Sequence, residues 1–124
     1  MAKQVFIAFA SEDVRQRDLL KGQAKNINSG FDYVDMSVKE PYDSEWKTKT
    51  KERIKRSHGV IALLSKNSQQ ADGQRCEVEC AIELGKRLLG IYAYDTDRSV
   101  PSYFPKSKVR DWTRANLKNF IDSL

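Results

Sequence analysis

Short apolar runs, separated by longer amphipathic segments, constrain the fold of this chain more than any other feature of its sequence. QVFIAFA at residues 4–10 and GVIALLS at residues 59–65 are nearly continuous in apolar residues, a pattern typical of strands buried on both faces. FDYVDMSV at 31–38 and LLGIYAY at 88–94 predict two more strands, and VRDW at 109–112 predicts a short edge strand.

The segments between these strands have the length and periodicity of helices. The first begins at Ser11, a suitable N-cap followed by acidic residues, and the others begin near residues 44, 73 and 113. An alternating β-α-β order with buried strands implies a parallel sheet with helices on both faces. We therefore predict one α/β domain, residues 1–124, with a three-layer flavodoxin-like fold and a mainly parallel five-stranded sheet centred on the 59–65 strand.

Length and composition bear on the compartment and on metal binding. A chain of 124 residues can bury a core without disulfides or a structural metal. No apolar run approaches the roughly 18 residues of a membrane span, and the start lacks the pattern of a signal peptide, so we expect a cytoplasmic protein without a membrane partner. Cys76 and Cys80 lie four residues apart on one predicted helix, and the chain has one histidine, so we predict reduced thiols and no metal site.

The positive charge of the chain is concentrated in one segment. The formal net charge is +5, and basic residues crowd KTKTKERIKR at 47–56. No aromatic or glycine-rich element interleaves them, which disfavours nucleic-acid binding and favours the exposed face of an amphipathic helix. A basic surface also suits a small anionic ligand such as a dinucleotide.

Three glutamates, Glu77, Glu79 and Glu83, fall within seven residues of the third predicted helix. On a wheel of about 100° per residue, Glu79 and Glu83 lie opposite Ala81, whereas Glu77 lies only about 40° from it. Glu77 therefore shares the apolar stripe, whose members are Val78, Ala81, Leu84, Gly85 and Leu88. A buried carboxylate is costly without partners. Three explanations remain open: Glu77 points past the core near the helix N-terminus, pairs with a buried arginine, or faces a cleft at the strand ends and takes part in chemistry there.

Three segments resemble the signatures of TIR domains. VFIAFASED at 5–13 resembles the first signature, an aromatic-flanked strand that ends in a Ser/Ala turn and an acid. RIKRSHGVIALLSKNS at 53–68 resembles the basic helix end, the serine, the hydrophobic third strand and the Ser-x-Asn/Ser motif that follow. GQRCEVECA at 73–81 resembles the next helix start, in which a glutamate precedes an alanine by four residues, here Glu77 and Ala81. The likeness is strongest to compact bacterial and archaeal TIR-like domains, including the TIR-like component of Thoeris anti-phage defence.

The resemblance implies a TIR-like fold and an enzyme that cleaves NAD. In enzymatic TIR domains the glutamate at this position is catalytic, so the resemblance and the helical wheel select Glu77 independently. NAD would be the substrate and no cofactor would be needed. Nicotinamide would be released, and ADP-ribose or a cyclic ADP-ribose isomer would serve as a signal in anti-phage defence. The resemblance also implies self-association and a downstream effector that senses the product. One departure is that Arg75 and Cys76 stand where a large aromatic residue usually precedes the glutamate.

Polar and small residues follow the first three strands at the edge of the sheet where ligands bind. The turn after the first strand opens a helix, and helix N-termini suit phosphate oxygens. Residues after the second and third strands are candidates for ribose or amide contacts, although capping a turn is the alternative role for each. The predicted substrate-binding residues are Phe9, Ala10, Ser11, Asp35, Ser37, Ser65 and Asn67.

Other protein classes share this predicted architecture. A receiver domain needs a phosphoacceptor aspartate at the end of the third strand, where this chain has LLSK, and a flavodoxin needs a glycine-rich phosphate loop, where it has ASEDVRQ. A nucleoside deoxyribosyltransferase stays open, because it too would place a glutamate against a ribose. The main alternative is a non-enzymatic TIR-like adaptor that acts by self-association.

Overall fold

A computed structural model describes residues 3–26, 31–34 and 44–124 of the chain. Its strands are β1 (Lys3–Ala8), β2 (Phe31–Val34), β3 (Gly59–Leu64), β4 (Arg87–Tyr92) and β5 (Val109–Arg110). Its α-helices are α1 (Val14–Asn26), α2 (Ser44–Arg56), α3 (Asp72–Glu83) and α4 (Arg114–Asp122), with short 3₁₀ turns at Ser11–Asp13, Ser68–Gln70 and Lys106–Lys108.

The strands form one sheet in the order β2-β1-β3-β4-β5, and every neighbouring pair is parallel. All six residues of β3 are buried, because the strand lies in the middle of the sheet between β1 and β4. The predicted five-stranded parallel α/β fold and its central strand are therefore confirmed. β5 has only two residues and pairs with Gly90 and Ile91 of β4, as expected of a short edge strand.

Alternate residues of the strands enter two apolar cores, one on each face of the sheet. On one face Val5 and Ile7 pack with residues of α1 and α4, including Leu20 and Leu117. On the other face, which we call the α2–α3 face, the core consists of Phe6, Ala8, Ile54, Val60, Ala62, Leu64, Val78, Ala81, Leu88 and Phe104. Helix α3, which carries the three glutamates, therefore packs beside β1 and β3.

The C-terminal end of α3 differs from the helix that the wheel assumed. Gly85 has a φ of 67°, which is the left-handed conformation that glycine adopts readily. The amide of Gly85 donates to the carbonyl of Ile82 at 3.1 Å, and the amide of Lys86 donates to the carbonyl of Ala81 at 2.9 Å, which is the Schellman arrangement that ends a helix. The assignment of Gly85 and Leu88 to the α3 stripe was therefore wrong. Leu88 lies on β4, in agreement with the strand predicted at 88–94.

Candidate functional site at the carboxyl edge of the sheet

Glu77 lies in the second turn of α3 with only 7% of its surface exposed. Val78 and Ala81 on the same side of the helix are fully buried in the α2–α3 core, whereas Glu79 and Glu83 are exposed. The wheel therefore separated the three glutamates correctly, because the apolar contacts of α3 decide which side of the helix faces the sheet.

The side chain of Glu77 is largely buried, and its carboxylate has no partner among the described side chains. Among the side chains that the structure describes, those of residues 4–23 and 47–124, none donates a hydrogen bond to this carboxylate and no cation pairs with it, and no described backbone amide donates to it. Burial raises the pKa of Glu77 well above that of an ordinary glutamate, since a charge in a poorly solvated position is disfavoured. The explanation by a buried arginine therefore has no support in the described part of the chain, and strongly shifted carboxylates of this kind concentrate at functional sites.

Glu79 and Glu83 lie in a different environment, a groove of about 400 Å³ between α2 and α3. The guanidinium of Arg75 lies 2.8 Å from the Glu79 carboxylate, and the ammonium of Lys51 lies 3.6 Å from that of Glu83. All four side chains are more than half exposed, so these pairs contribute little to stability. The two glutamates are therefore natural controls for any experiment on Glu77.

Gln74, one turn before Glu77, fastens the start of α3 to the ends of two strands. Its side-chain amide is buried and donates to the carbonyls of Ala8 at 3.1 Å and Leu63 at 2.7 Å. Because Ala8 ends β1 and Leu63 lies near the end of β3, these bonds hold the first turns of α3 at the carboxyl edge of the sheet. Sequence reasoning missed Gln74, although the wheel places it only about 20° from Ala81, on the apolar stripe.

Tyr103, from the irregular segment after β4, adds an aromatic ring beside the same turn. Its hydroxyl donates to the carbonyl of Ser68 at 2.8 Å and lies 3.3 Å from the side-chain oxygen of Gln74. Burial raises the pKa of Tyr103, and the negative charge of Glu77 raises it further. Sequence reasoning also missed this residue, because no periodic pattern in 95–108 predicts where its side chains lie.

A second group of polar residues surrounds the fully buried carboxylate of Asp13. One of its oxygens accepts from the Ser65 hydroxyl at 2.5 Å, and the other accepts from the Asn67 amide and the Tyr94 hydroxyl, both at 3.0 Å. These donors follow β3 and β4, and Asp13 itself follows β1. We call these four residues the Asp13 cluster. The Asp13 cluster links the segments that follow β1, β3 and β4 at the carboxyl edge of the sheet. Gln74 holds the start of α3 at the same edge.

Residues 6–98 match the family described as “Thoeris protein ThsB, TIR-like domain”. The chain belongs to this TIR-like family. Two solved structures share the fold of this TIR-like domain at low sequence identity. A prokaryotic SEFIR domain is 12% identical with a TM-score of 0.66, and the alignment covers 97% of this chain and 92% of that one. The TIR domain of the Toll-related receptor TRR-2 from Hydra magnipapillata is 16% identical with a TM-score of 0.63, covering 96% of this chain and 91% of that one. No match was found among curated protein sequences.

Several of the predicted substrate-binding residues of this TIR-like domain meet at the carboxyl edge. Phe9 is half-buried under the guanidinium of Arg17, which lies 5.0 Å from the ring centroid. Ala10 is buried and its carbonyl accepts from the amide of Asp13, whereas Ser11 is exposed and its hydroxyl donates to the Glu12 carboxylate.

The remaining predicted residues divide into two groups. Ser65 and Asn67 belong to the Asp13 cluster, so their side chains already have partners within the protein. Asp35 and Ser37 lie outside the described residues. Contact of any of the seven residues with NAD stays a prediction.

The described residues hold no group of three or more His, Cys, Asp or Glu side chains placed to bind a metal ion. Cys76 and Cys80 are free and half-buried, and burial raises the pKa of both thiols. Within the same ranges of the chain, no helix is long and apolar enough to cross a membrane.

Proposed function

We propose that this TIR-like domain cleaves the bond between nicotinamide and ribose in NAD, with Glu77 as the catalytic carboxylate. The observation that carries the proposal is the buried carboxylate of Glu77, which has no partner among the described residues and lies one turn from the strand ends. Membership of the Thoeris TIR-like family supports the assignment of NAD as the substrate. Parallel sheets of this kind bind ligands at this edge.

One carboxylate is sufficient for the step that breaks the bond. The C1′–N bond breaks, and its electron pair goes to the pyridinium nitrogen, so nicotinamide leaves as a neutral ring and needs no general acid. The positive charge moves to the ribose, where an oxocarbenium-like centre develops. An ionised Glu77 facing that centre stabilises it, as a carboxylate does in glycoside hydrolysis. Limited access of water to Glu77 strengthens the attraction.

The raised pKa of Glu77 is compatible with this role because the nicotinamide ring of NAD, which would lie next to Glu77, carries a positive charge. A positive charge nearby favours the ionised form of a carboxyl group and lowers its pKa. Binding of NAD would therefore favour the charged state of Glu77 at the moment when that state is needed. By the same argument, the ionised form of Glu77 is disfavoured when no ligand is bound and is favoured when the pyridinium ring lies next to it.

The acceptor of the ribosyl group determines the product. Water gives ADP-ribose and a proton, whereas a hydroxyl of the same molecule gives a cyclic ADP-ribose isomer and a proton. In either case we propose that the nucleotide is a signal in anti-phage defence and that a downstream effector binds it, as the Thoeris family name suggests. We also propose that the domain self-associates, and the exposed Leu19 and Ile82 on α1 and α3 offer apolar contact points.

We expect free nicotinamide to accumulate when the purified protein is incubated at high concentration with NAD. Chromatography of the reaction at several times measures nicotinamide, ADP-ribose and cyclic isomers separately. Extract from infected cells, added to a parallel reaction, tests whether a trigger is needed. If nicotinamide is absent from every reaction while size-exclusion chromatography shows assembly, the non-enzymatic adaptor is the correct function.

A further inference from the structure

Gln74 lies at the point where the order of strands in the sheet changes direction. The chain moves outward from β1 to β2 in one direction and from β3 to β4 and β5 in the other, so β1 and β3 form the switch point. In sheets of this kind the crevice at the switch point binds ligands. Pairing between the two strands ends with Ala8 and Ala62, and the side-chain amide of Gln74 bonds to the carbonyls of Ala8 and Leu63 at that end. Gln74 therefore lies at the base of this crevice.

The amide of Gln74 has one orientation that satisfies its hydrogen bonds. Its nitrogen donates to the carbonyls of Ala8 at 3.1 Å and Leu63 at 2.7 Å, and its oxygen lies 3.3 Å from the hydroxyl of Tyr103. A reversed amide would place its oxygen against two carbonyl oxygens, which have no hydrogen to donate. Gln74 is 1% exposed and both of its amide hydrogens are used, so its role is to hold the helix and not to bind a ligand.

Helix α3 has little else to hold its first turn in place from within. Its N-cap is Ala71, which makes no side-chain capping bond, and alanine is a poor residue at this position. Gln74 and Glu77 are three residues apart, which corresponds to about 4.5 Å along the helix axis and about 60° around it. A displacement of the turn that Gln74 anchors would therefore also displace the carboxylate of Glu77.

We propose that Gln74 is a positioning residue, whose two bonds to the strand ends set the height of α3 above the β1–β3 crevice and thereby place the Glu77 carboxylate against the bound ribose. This inference rests on the proposed function, because it takes Glu77 to act on a ligand in that crevice. A misplacement of about 1 Å in a catalytic group can lower the rate about 100-fold. Glutamine suits this task because it offers two donors without a charge that would have to be buried.

The first test is Gln74→Met, which keeps the length of the side chain and removes both donors. We expect kcat for nicotinamide release from NAD to fall about 10- to 100-fold and KM to change less than about three-fold, because the lost placement acts in the transition state. Gln74→Asn keeps both donors on a side chain that is one methylene shorter, so it perturbs folding less, and its kcat should lie between those of Gln74→Met and the wild type. A wild-type kcat in both variants would overturn the inference.

Thr113→Ala is the control for a loss of stability without a loss of placement. The Thr113 side chain caps α4 by accepting from the amide of Asn116 at 3.0 Å, and α4 packs on the opposite face of the sheet from α3. The variant should lower the melting temperature and leave kcat unchanged. An equal fall of kcat in Thr113→Ala and Gln74→Met would show that general instability is the cause, and the inference would be wrong.

A second measurement requires no turnover. The ¹³C resonance of the Glu77 carboxyl group, assigned with Glu77→Gln, is followed by NMR as pH is varied. Burial raises the pKa of this group, so a first turn that is no longer anchored should let water reach Glu77 and move the midpoint toward that of an ordinary glutamate. We expect this movement in Gln74→Met and not in Thr113→Ala.

The outcomes for the inference and for the proposed function are read separately. If the wild type releases nicotinamide, kcat decides: an unchanged kcat in the Gln74 variants means that the inference is wrong and the function stands. If nicotinamide is never released, the NMR midpoint decides. A midpoint that moves in Gln74→Met alone then means that the function is wrong but Gln74 does position Glu77, whereas an unchanged midpoint means that both are wrong.

Discussion

Glu77→Gln is expected to abolish nicotinamide release and, at neutral pH, to raise the melting temperature of the domain. The amide has nearly the shape of the carboxylate but cannot balance the positive charge that develops on the ribose. Loss of one such electrostatic contact typically lowers kcat about 10²- to 10³-fold. Chromatographic measurement of nicotinamide, with the variant at the same concentration as the wild type, detects a change of this size.

The stability increase follows from the pKa of Glu77. Burial raises this pKa in the folded protein above the value of 4.5 for an unperturbed glutamate. The folded state therefore binds the proton more tightly than the unfolded chain does, and its stability falls as pH rises between the ordinary and the raised pKa. Glutamine is neutral at every pH, so the stability of the Glu77→Gln variant does not fall for this reason as pH rises. Thermal melts should show Glu77→Gln above the wild type at pH 7, with the difference shrinking below the ordinary pKa of glutamate.

The same shift predicts the pH dependence of NAD cleavage. Glu77 must be ionised to stabilise the ribosyl cation, so activity should fall as pH is lowered through its pKa. Because burial raises that pKa, the decline in kcat/KM should begin at a higher pH than for an exposed glutamate. Bound NAD lowers the pKa, so the decline in kcat should begin at a lower pH than the decline in kcat/KM.

Glu79→Gln and Glu83→Gln are the matched controls, because each makes the same change on the same helix. Their pairs with Arg75 and Lys51 are exposed, so each substitution should change the free energy of unfolding by less than about 1 kcal/mol and leave activity intact. A folded Glu79→Gln protein without activity would show that the catalytic glutamate was chosen wrongly. An unstable Glu77→Gln protein would show that Glu77 has a structural partner.

The features that sequence reasoning found are those that local periodicity controls. The run at 59–65 predicted the central strand because a strand buried on both faces contains few polar residues, and β3 is buried along its whole length. The position of Glu77 could be predicted because a few apolar neighbours, Val78 and Ala81, orient the helix. The end of α3 was placed too late because a helical wheel assumes that every residue is helical, whereas Gly85 adopts a left-handed conformation.

The contacts that sequence reasoning missed join residues far apart in the chain. Asp13 contacts Ser65, Asn67 and Tyr94 only because β1, β3 and β4 are neighbours in the sheet. The order of strands in a sheet cannot be predicted from the periodicity of any single segment. Tyr103 reaches Gln74 from an irregular segment whose path depends on packing against the α2–α3 core. In the sequence alone, Asp13 and Tyr103 cannot be distinguished from other polar or aromatic loop residues. Their contacts can be identified only once the strand order is known.

Asp13→Ala is expected to cause a large loss of stability. The variant removes the acceptor shared by three donors, the Ser65 hydroxyl, the Asn67 amide and the Tyr94 hydroxyl. Ser65 is 1% exposed, so water cannot readily replace the lost acceptor there. A buried donor left without a partner costs about 1–3 kcal/mol, and loss of the whole cluster should lower the free energy of unfolding by about 3 kcal/mol or more. At about 4 °C per kcal/mol, the melting temperature should fall by roughly 12 °C.

Glu12→Ala, at the neighbouring exposed position, is the control for Asp13→Ala and should change the free energy of unfolding by no more than about 0.5 kcal/mol. A double-mutant cycle with Ser65→Ala then separates the hydrogen bond from the rest of the cluster. Because the two side chains are in direct contact, the double variant should be more stable than the sum of the single effects predicts, by roughly 0.5–3 kcal/mol. Additive effects, or an Asp13→Ala protein that melts with the wild type, would mean that the loops at the carboxyl edge are held by other contacts.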